Sequence, residues 1–444
     1  MQAGGTRRIV EYFTAHKGVA FLLIFLLAFS IRFVLLVQHR EDIDTVGEEP
    51  KIAYALISKG EFADPYVIPT GPTAHSTPFF PVLLVAIYKT FGTGFAGQFA
   101  RGLLIISGYS LLFALYPTFA SAFGFPYQAG LLAGFVSALV PVRRSAEVFR
   151  GWEETWSAMA LAFLLFLMLK REESRRREPM TAVWIGLCWG AALYINFSIA
   201  AVLVALLFVD WWTHRTVPVL RDAVITMIVV FAVISPWIIR NQRQLHGWTM
   251  MRDNLGLELR FGNHDGARPS AEGMVMSLQG STALSTDPGK SIQEAMLVRE
   301  MGEIAYNRRE LHLAVDWISH HPGEFVWLSV QRFFYFWLGP LNHAYETIVI
   351  SSYTILGFLG LGLMRKRVGE IQFRMWCTVF AVYPLICYLV PFAHRYRVPI
   401  DWMIWLSAGL FVCVMLEKKS ALADDRGRDS KFREMETLAP PRTV

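Results

Sequence analysis

The 444-residue chain is 54% hydrophobic and only 18% charged, with a mean hydropathy of +0.37. Soluble domains carry about 25% charged residues, so this composition excludes an ordinary globular enzyme and marks a polytopic integral membrane protein. The formal net charge of +6 is modest and points to no nucleic-acid partner.

The first apolar run, 18–37, is long enough to span a bilayer and lacks a small-residue cleavage site, so it reads as an uncleaved first helix. Nine further runs follow at 102–123, 128–142, 155–169, 181–195, 197–212, 222–239, 347–364, 375–390 and 399–416, which makes about ten spans. Segment 78–91 is apolar but short. Charge decides its placement. With 78–91 outside the count and the N-terminus inside, the basic loops 170–178, 214–221, 364–374 and the tail after 417 all fall on the inner side. The segment is therefore expected to be an interfacial or re-entrant helix on the outer side. This map puts the chain in an inner (plasma) membrane with both termini cytoplasmic.

The expected organisation is a transmembrane module over 1–239 with outer loops at 38–101 and 143–154. A mostly helical outer region, 240–346, lies between the seventh and eighth spans. C-terminal spans cover 347–417, and a charged, disordered tail covers 418–444. In the outer region, Ala295, Val298, Met301 and Ile304 keep helical spacing, Pro322 breaks the pattern, and 325–337 is an aromatic-rich interfacial helix. The four cysteines, Cys188, Cys377, Cys387 and Cys413, sit in apolar segments without metal-ligand spacing and read as small buried hydrophobes.

Chemistry-bearing residues gather in three outer loops. The first holds Asp42, Asp44, Glu48 and Glu49, then a short helix with Ile52, Leu56 and Ile57 on one side and Gly60 as its stop. Carboxylates at the membrane rim suit removal of a proton from an acceptor hydroxyl; a solvated acidic loop is the plainer reading. The second holds Arg143, Arg144, Arg150, Glu147, Glu153 and Glu154, with guanidinium groups suited to a lipid phosphate or to interfacial anchoring. The third is FAHRYRVP, with His394, Arg395 and Arg397. Cations from the second and third loops on one face would stabilise a departing phosphate. No P-loop, HExxH or strand-linked GxGxxG is present. A transporter or flippase of lipid-linked sugars is the alternative, but the spans are nearly free of charge, and the charges gather at one face instead.

Several stretches carry a resemblance to a known group: EEPKIAYALISKG (48–60), GPTAHSTPFFPVLL (71–84), WEET (152–155), PWIIRN (236–241), NLGLELRFGN (254–263), HPGEFVWLSVQRFFYFW (321–337) and HRYRVPID (394–401). In order and topology the chain resembles the GT-C membrane glycosyltransferases, in particular the bacterial relatives of protein mannosyltransferases and aminoarabinose transferases. The resemblance implies a polyprenyl-phosphate-linked sugar as donor and inversion at the anomeric carbon. The acceptor is a lipid, glycan or protein that the sequence does not name. By position, Glu49 or its neighbour Glu48 takes the role of base, Glu154 assists with Glu153 second, and Arg144, Arg395 and Arg397 correspond to the phosphate-binding cations. The group commonly has Asp where this chain has Glu, which leaves Asp42 and Asp44 as alternatives. A divalent metal is bound by some members and not by others.

Overall fold

The computed structural model describes residues 11–40, 47–141, 147–148, 151, 153–174, 178–270, 287–340 and 343–438, with side chains to residue 421 in the last helix. Among these residues there is no strand, only two isolated bridges, Ala63 with Pro72 and Ser270 with Phe392. The protein is an all-α integral membrane protein. Each of the ten expected spans falls on a helix.

Helix α1, Lys17–Gln38, is the first span. Two helices of the first large loop follow, α2 (Glu48–Lys59) and α3 (Phe79–Phe91). Then come α4 (Phe95–Ala122), α5 (Tyr127–Leu139), α6 (Glu154–Glu173), α7 (Pro179–Leu193), α8 (Ala200–His214) and α9 (Val217–Leu245). The region between spans holds α10 (Leu255–Gly262), α11 (Ile292–Met301), α12 (Glu303–His320) and α13 (Pro322–Leu338). The chain closes with α14 (Ala344–Arg367), α15 (Glu370–Val382) and α16 (Val398–Leu438). Among the described residues, seven helical segments are long and apolar enough to cross a bilayer, while α5 and α7 are 13 and 15 residues long.

The short helix α3 has 13 residues. At 1.5 Å per residue it reaches about 20 Å, short of a hydrocarbon core of about 30 Å. It packs on α2 instead, through Phe80, Leu84 and Tyr88 against Ala53. The sequence put α2 flat on the membrane; the structure buries Ile52, Ala53 and Ala55 beneath neighbouring protein. Gly60 ends α2 as expected, at φ 72°, a left-handed conformation that glycine adopts without strain.

Inside the bundle, α16 packs on α14 and α5. Close approach is possible because the contact points are glycines. A Cβ on Gly360 would lie 1.8 Å from the Ser407 carbonyl oxygen, and one on Gly409 would lie 2.4 Å from that of Ala129. Small residues are the usual means of bringing backbones together in membranes.

The two ends of the bundle differ. At one end Arg171 of α6 reaches Asp210 of α8 (3.4 Å) and Asp222 of α9 (3.3 Å), while Arg374 of α15 pairs with Glu172. The basic loops that the charge rule grouped together thus share one end. Loops 60–78, 246–254 and 389–397 meet at the opposite end, where Ala74, Asp253 and Arg252 are hydrogen-bonded to one another's segments.

Within the large region, the helical stretch expected to run through Ile304 is broken. Gly302 sits at φ 83° and separates α11 from α12. Pro322 opens α13, where its missing N–H costs nothing. Helix α13 turns Val326, Trp327, Val330, Phe333 and Phe334 outward and buries Arg332. That guanidinium donates to the carbonyls of Leu389 (2.9 Å) and Gly262, tying α10 to the segment before α16.

Deep in α1, Arg32 is fully buried. It pairs with Glu147 at 2.5 Å and donates to the carbonyls of Ala28, Ser137 and Ala138. Glu147 is therefore a structural counter-charge, where the sequence offered it as one more loop carboxylate. Glu147→Ala leaves that buried guanidinium without its anion, and loss of one partner from a buried pair costs about 3 kcal/mol or more. The expected outcome is a clearly lower melting temperature in detergent. Reporter fusions after Phe91 and after Glu173 are expected to register opposite sides of the membrane.

Candidate active site

The site is built from helix starts and short turns. Gly47 precedes α2 in an extended backbone, and Glu48 and Glu49 form the first turn of the helix. Glu153 precedes α6 and Glu154 begins it. Acidic residues in a first helical turn face the positive end of the helix dipole. Arg395 lies in the turn His394–Arg397, immediately before α16.

These separate stretches converge. Arg395 Nε lies 3.9 Å from Glu154 Oε1, and Arg252 Nη1, between α9 and α10, lies 3.8 Å from Glu153 Oε1. Glu49 is 2% exposed. One carboxylate oxygen, Oε1, accepts a hydrogen bond from Ser76 Oγ at 3.2 Å. The other, Oε2, is buried and has no hydrogen-bond partner among the described residues.

Burial pushes the Glu49 carboxyl up to about 8, and the nearby charges of Glu48 and Glu153 push the same way. Arg395 opposes them. A carboxylate taken out of water is disfavoured in its charged form unless a cation answers it. Glu258 of α10 and Asp287 are also raised, chiefly by burial, with Glu48 adding to both. His75 is lowered to about 3 by burial and by Arg252, so it is neutral across the working pH range.

The expected residues divide clearly. Glu48, Glu49, Glu153, Glu154 and Arg395 come together. His394 sits beside them, 5% exposed, with Nε2 3.0 Å from Glu346 of α14. Arg397 is a correction. Its guanidinium donates to Asp401 (2.6 Å), to the carbonyls of Phe336 and Trp337 (2.9 Å each) and to Thr354 Oγ1 (2.5 Å). All three of its nitrogens serve α13, α14 and α16, so it locks helices together instead of meeting a phosphate. Asp42, Asp44, Arg143, Arg144 and Arg150 lie outside the described residues.

Arg252, Glu258, Asp287, His75 and Ser76 were missed. Arg252 and Asp287 carried no motif. Their sole signal was membership of the large region between spans, where many charged residues never reach the site.

The described carboxylates at this end do not gather as a metal-ligand set. Among the described residues, no three ligand atoms at this end lie within 4.8 Å of one another. Arg395 and Arg252 stand beside the acids instead, so no step is drawn through a metal. Glu172, Asp210 and His214 do meet that distance. They lie at the opposite end, where arginines already pair with Glu172 and Asp210.

No protein-family model and no curated protein matches the sequence. Solved structures do. The chain is similar to the Archaeoglobus fulgidus oligosaccharyltransferase tethered with an acceptor peptide, at TM-score 0.52 and 15% identity over 90% of this chain and 50% of that one. The apo form of the same enzyme gives 0.51 and 13%, over 96% and 52%. ArnT from Cupriavidus metallidurans bound to undecaprenyl phosphate gives 0.39 and 12%, over 88% and 77%. This chain has the GT-C fold. It spans about half the length of the oligosaccharyltransferase.

Arg395→Gln removes the cation that favours ionised Glu49, so the Glu49 titration is expected to move above its present value of about 8. Carbodiimide labelling of Glu49 as a function of pH, read by mass spectrometry, checks this. An unmoved midpoint would mean that Arg395 does not act on Glu49.

Proposed function

We propose that this protein is an inverting glycosyltransferase that moves a sugar from a polyprenyl-phosphate carrier to an acceptor at the extracytoplasmic membrane face. The observation that carries the reading is the buried Glu49 carboxylate. One of its oxygens is held by Ser76, and the other has no partner among the described residues. Arg395 and the acids of α6 stand beside it.

In this reading Glu49 Oε2 accepts the proton of an acceptor hydroxyl. The hydroxyl oxygen forms a bond to the anomeric carbon as the bond from that carbon to the phosphate oxygen breaks. A single displacement inverts the centre. The electron pair leaves on the phosphate, where a preorganised cation stabilises the developing charge. Arg395 is that cation, and Glu154 keeps it in place. Arg252, braced by Glu153, closes the same side. A base with its pKa near the working pH combines a useful ionised fraction with a strong drive to take a proton. Glu49 has this property through burial.

The similar solved structure is an oligosaccharyltransferase tethered with an acceptor peptide, which supports sugar transfer as the reaction class. The open chemistry of the acceptor, whether lipid, glycan or protein, is a matter for assay. The large region 240–346 flanks Glu49 and is the natural wall of an acceptor site. By charge distribution the site faces away from the cytoplasm, in an inner membrane.

Transfer assays with purified protein and a panel of polyprenyl-phosphate sugars, with and without chelator, test the reading. Glu49→Gln is expected to abolish transfer without loss of expression, whereas Glu48→Gln retains a measurable rate. If both variants transfer at the wild-type rate, Glu49 is not the base. The ionised form of Glu49 grows in as pH rises towards about 8. The wild-type kcat/KM is therefore expected to climb about tenfold per pH unit below that value and to level off above it.

A further inference from the structure

The segment Thr73–Thr77 connects the large region to Glu49, and it is held at every residue. The Glu303 carboxylate, at the start of α12, accepts from Thr73 Oγ1 and from the Ala74 backbone N–H (2.6 Å). Arg240 of α9 donates to the Thr73 carbonyl (2.6 Å) and to that of Phe62 (2.7 Å). The Ala74 carbonyl accepts from Asp253 N–H (2.9 Å), and the His75 carbonyl from Arg252 Nε (3.0 Å). The His75 N–H donates back to Thr73 Oγ1 (2.9 Å). Thr77 Oγ1 donates to the Ile195 carbonyl (2.8 Å). Between these clamps, Ser76 Oγ donates to Glu49.

Glu303 is 5% exposed and Thr73 is fully buried. An acidic side chain is seldom buried unless its hydrogen bonds are needed. Here they stop the strut from shifting, and the strut carries the hydroxyl that aims Glu49. Glu303 is 230 residues from Thr73 in sequence, so this carboxylate links α12 directly to the Thr73–Thr77 strut.

We propose that Glu303 is a positioning residue: by clamping Thr73 and Ala74 it fixes Ser76 against Glu49, and so couples the large region 240–346 to the candidate base. The proposal rests on the reading of Glu49 as base. Ser76 donates to the carboxylate and so favours its ionised form. Release of the clamp weakens that bond and makes Glu49 harder to ionise. Glu48, Glu153 and Arg395 are the other charges that act on Glu49, and Asp253 and Arg240 those on Glu303. None of them is altered by the substitutions below.

The test uses the full-length protein in detergent. The pH midpoint of carbodiimide labelling at Glu49 is measured without substrate, and transfer is measured in parallel. Glu303→Ala is expected to raise the midpoint and to lower kcat on the order of 10- to 100-fold, as small misplacements of a reacting group do, with donor KM little changed. Glu303→Gln is expected to stay near wild type. Its amide oxygen still accepts from Ala74 N–H, and its NH2 donates to Thr73 Oγ1. Should Glu303→Ala fail to fold, Thr73→Val removes one arm of the clamp and is expected to raise the midpoint in the same direction. An unchanged midpoint in the folded variant, or equal damage by Gln and Ala, overturns the proposal. A raised midpoint in a protein that transfers no sugar would overturn the glycosyltransferase reading while leaving the clamp intact.

Discussion

A carboxylate buried at the rim of a membrane bundle imposes conditions on everything around it. Glu49 cannot hold a charge there unless a cation is near and a hydrogen bond is aimed at it. Arg395 answers the first condition and Ser76 the second. Each answer creates a further demand. Arg395 needs an acid of its own, which Glu154 supplies, and Ser76 needs a backbone that does not drift, which the Thr73–Thr77 clamps supply. The site is thus a chain of dependencies that begins with one desolvated group.

Two kinds of arginine stand out among the described residues. Arg32, Arg332 and Arg397 are almost wholly buried and donate to backbone carbonyls on neighbouring elements. Guanidinium groups used this way act as cross-braces, since five donors in a fixed fork can satisfy several helix ends at once. Arg252 and Arg395 lie at the Glu49 end, near acids at 3.8 to 3.9 Å, and Arg252 also donates to the His75 carbonyl at 3.0 Å.

Much of the architecture was legible because membranes enforce simple rules. The positions of the spans followed from apolar run length, and the grouping of basic loops at one end followed from charge. Gly60 announced the end of α2. The remainder was hidden for physical reasons. Arg395 and Arg397 stand two residues apart with the same side chain, and only their direction separates a neighbour of Glu49 and Glu154 from a cross-brace. A turn of 3-10 helix sets that direction, and composition does not encode it. The pairing of Arg32 with Glu147, or of Glu303 with Thr73, joins residues more than a hundred positions apart and leaves no periodic trace. The break at Gly302 interrupts an otherwise regular spacing, and the pattern alone favoured continuity.

The order in which the chain emerges during synthesis gives the Glu303–Thr73 and Glu154–Arg395 contacts a temporal meaning. Glu49 is made early, in the first loop. The residue that steadies its support arrives some 250 positions later, and the cation that answers its charge about 350 positions later. Until the segment that carries Arg395 has been inserted, Glu49 and Glu154 lack this cationic neighbour. Closure of the charge cluster around Glu49 therefore waits on segments made long after Glu49 itself.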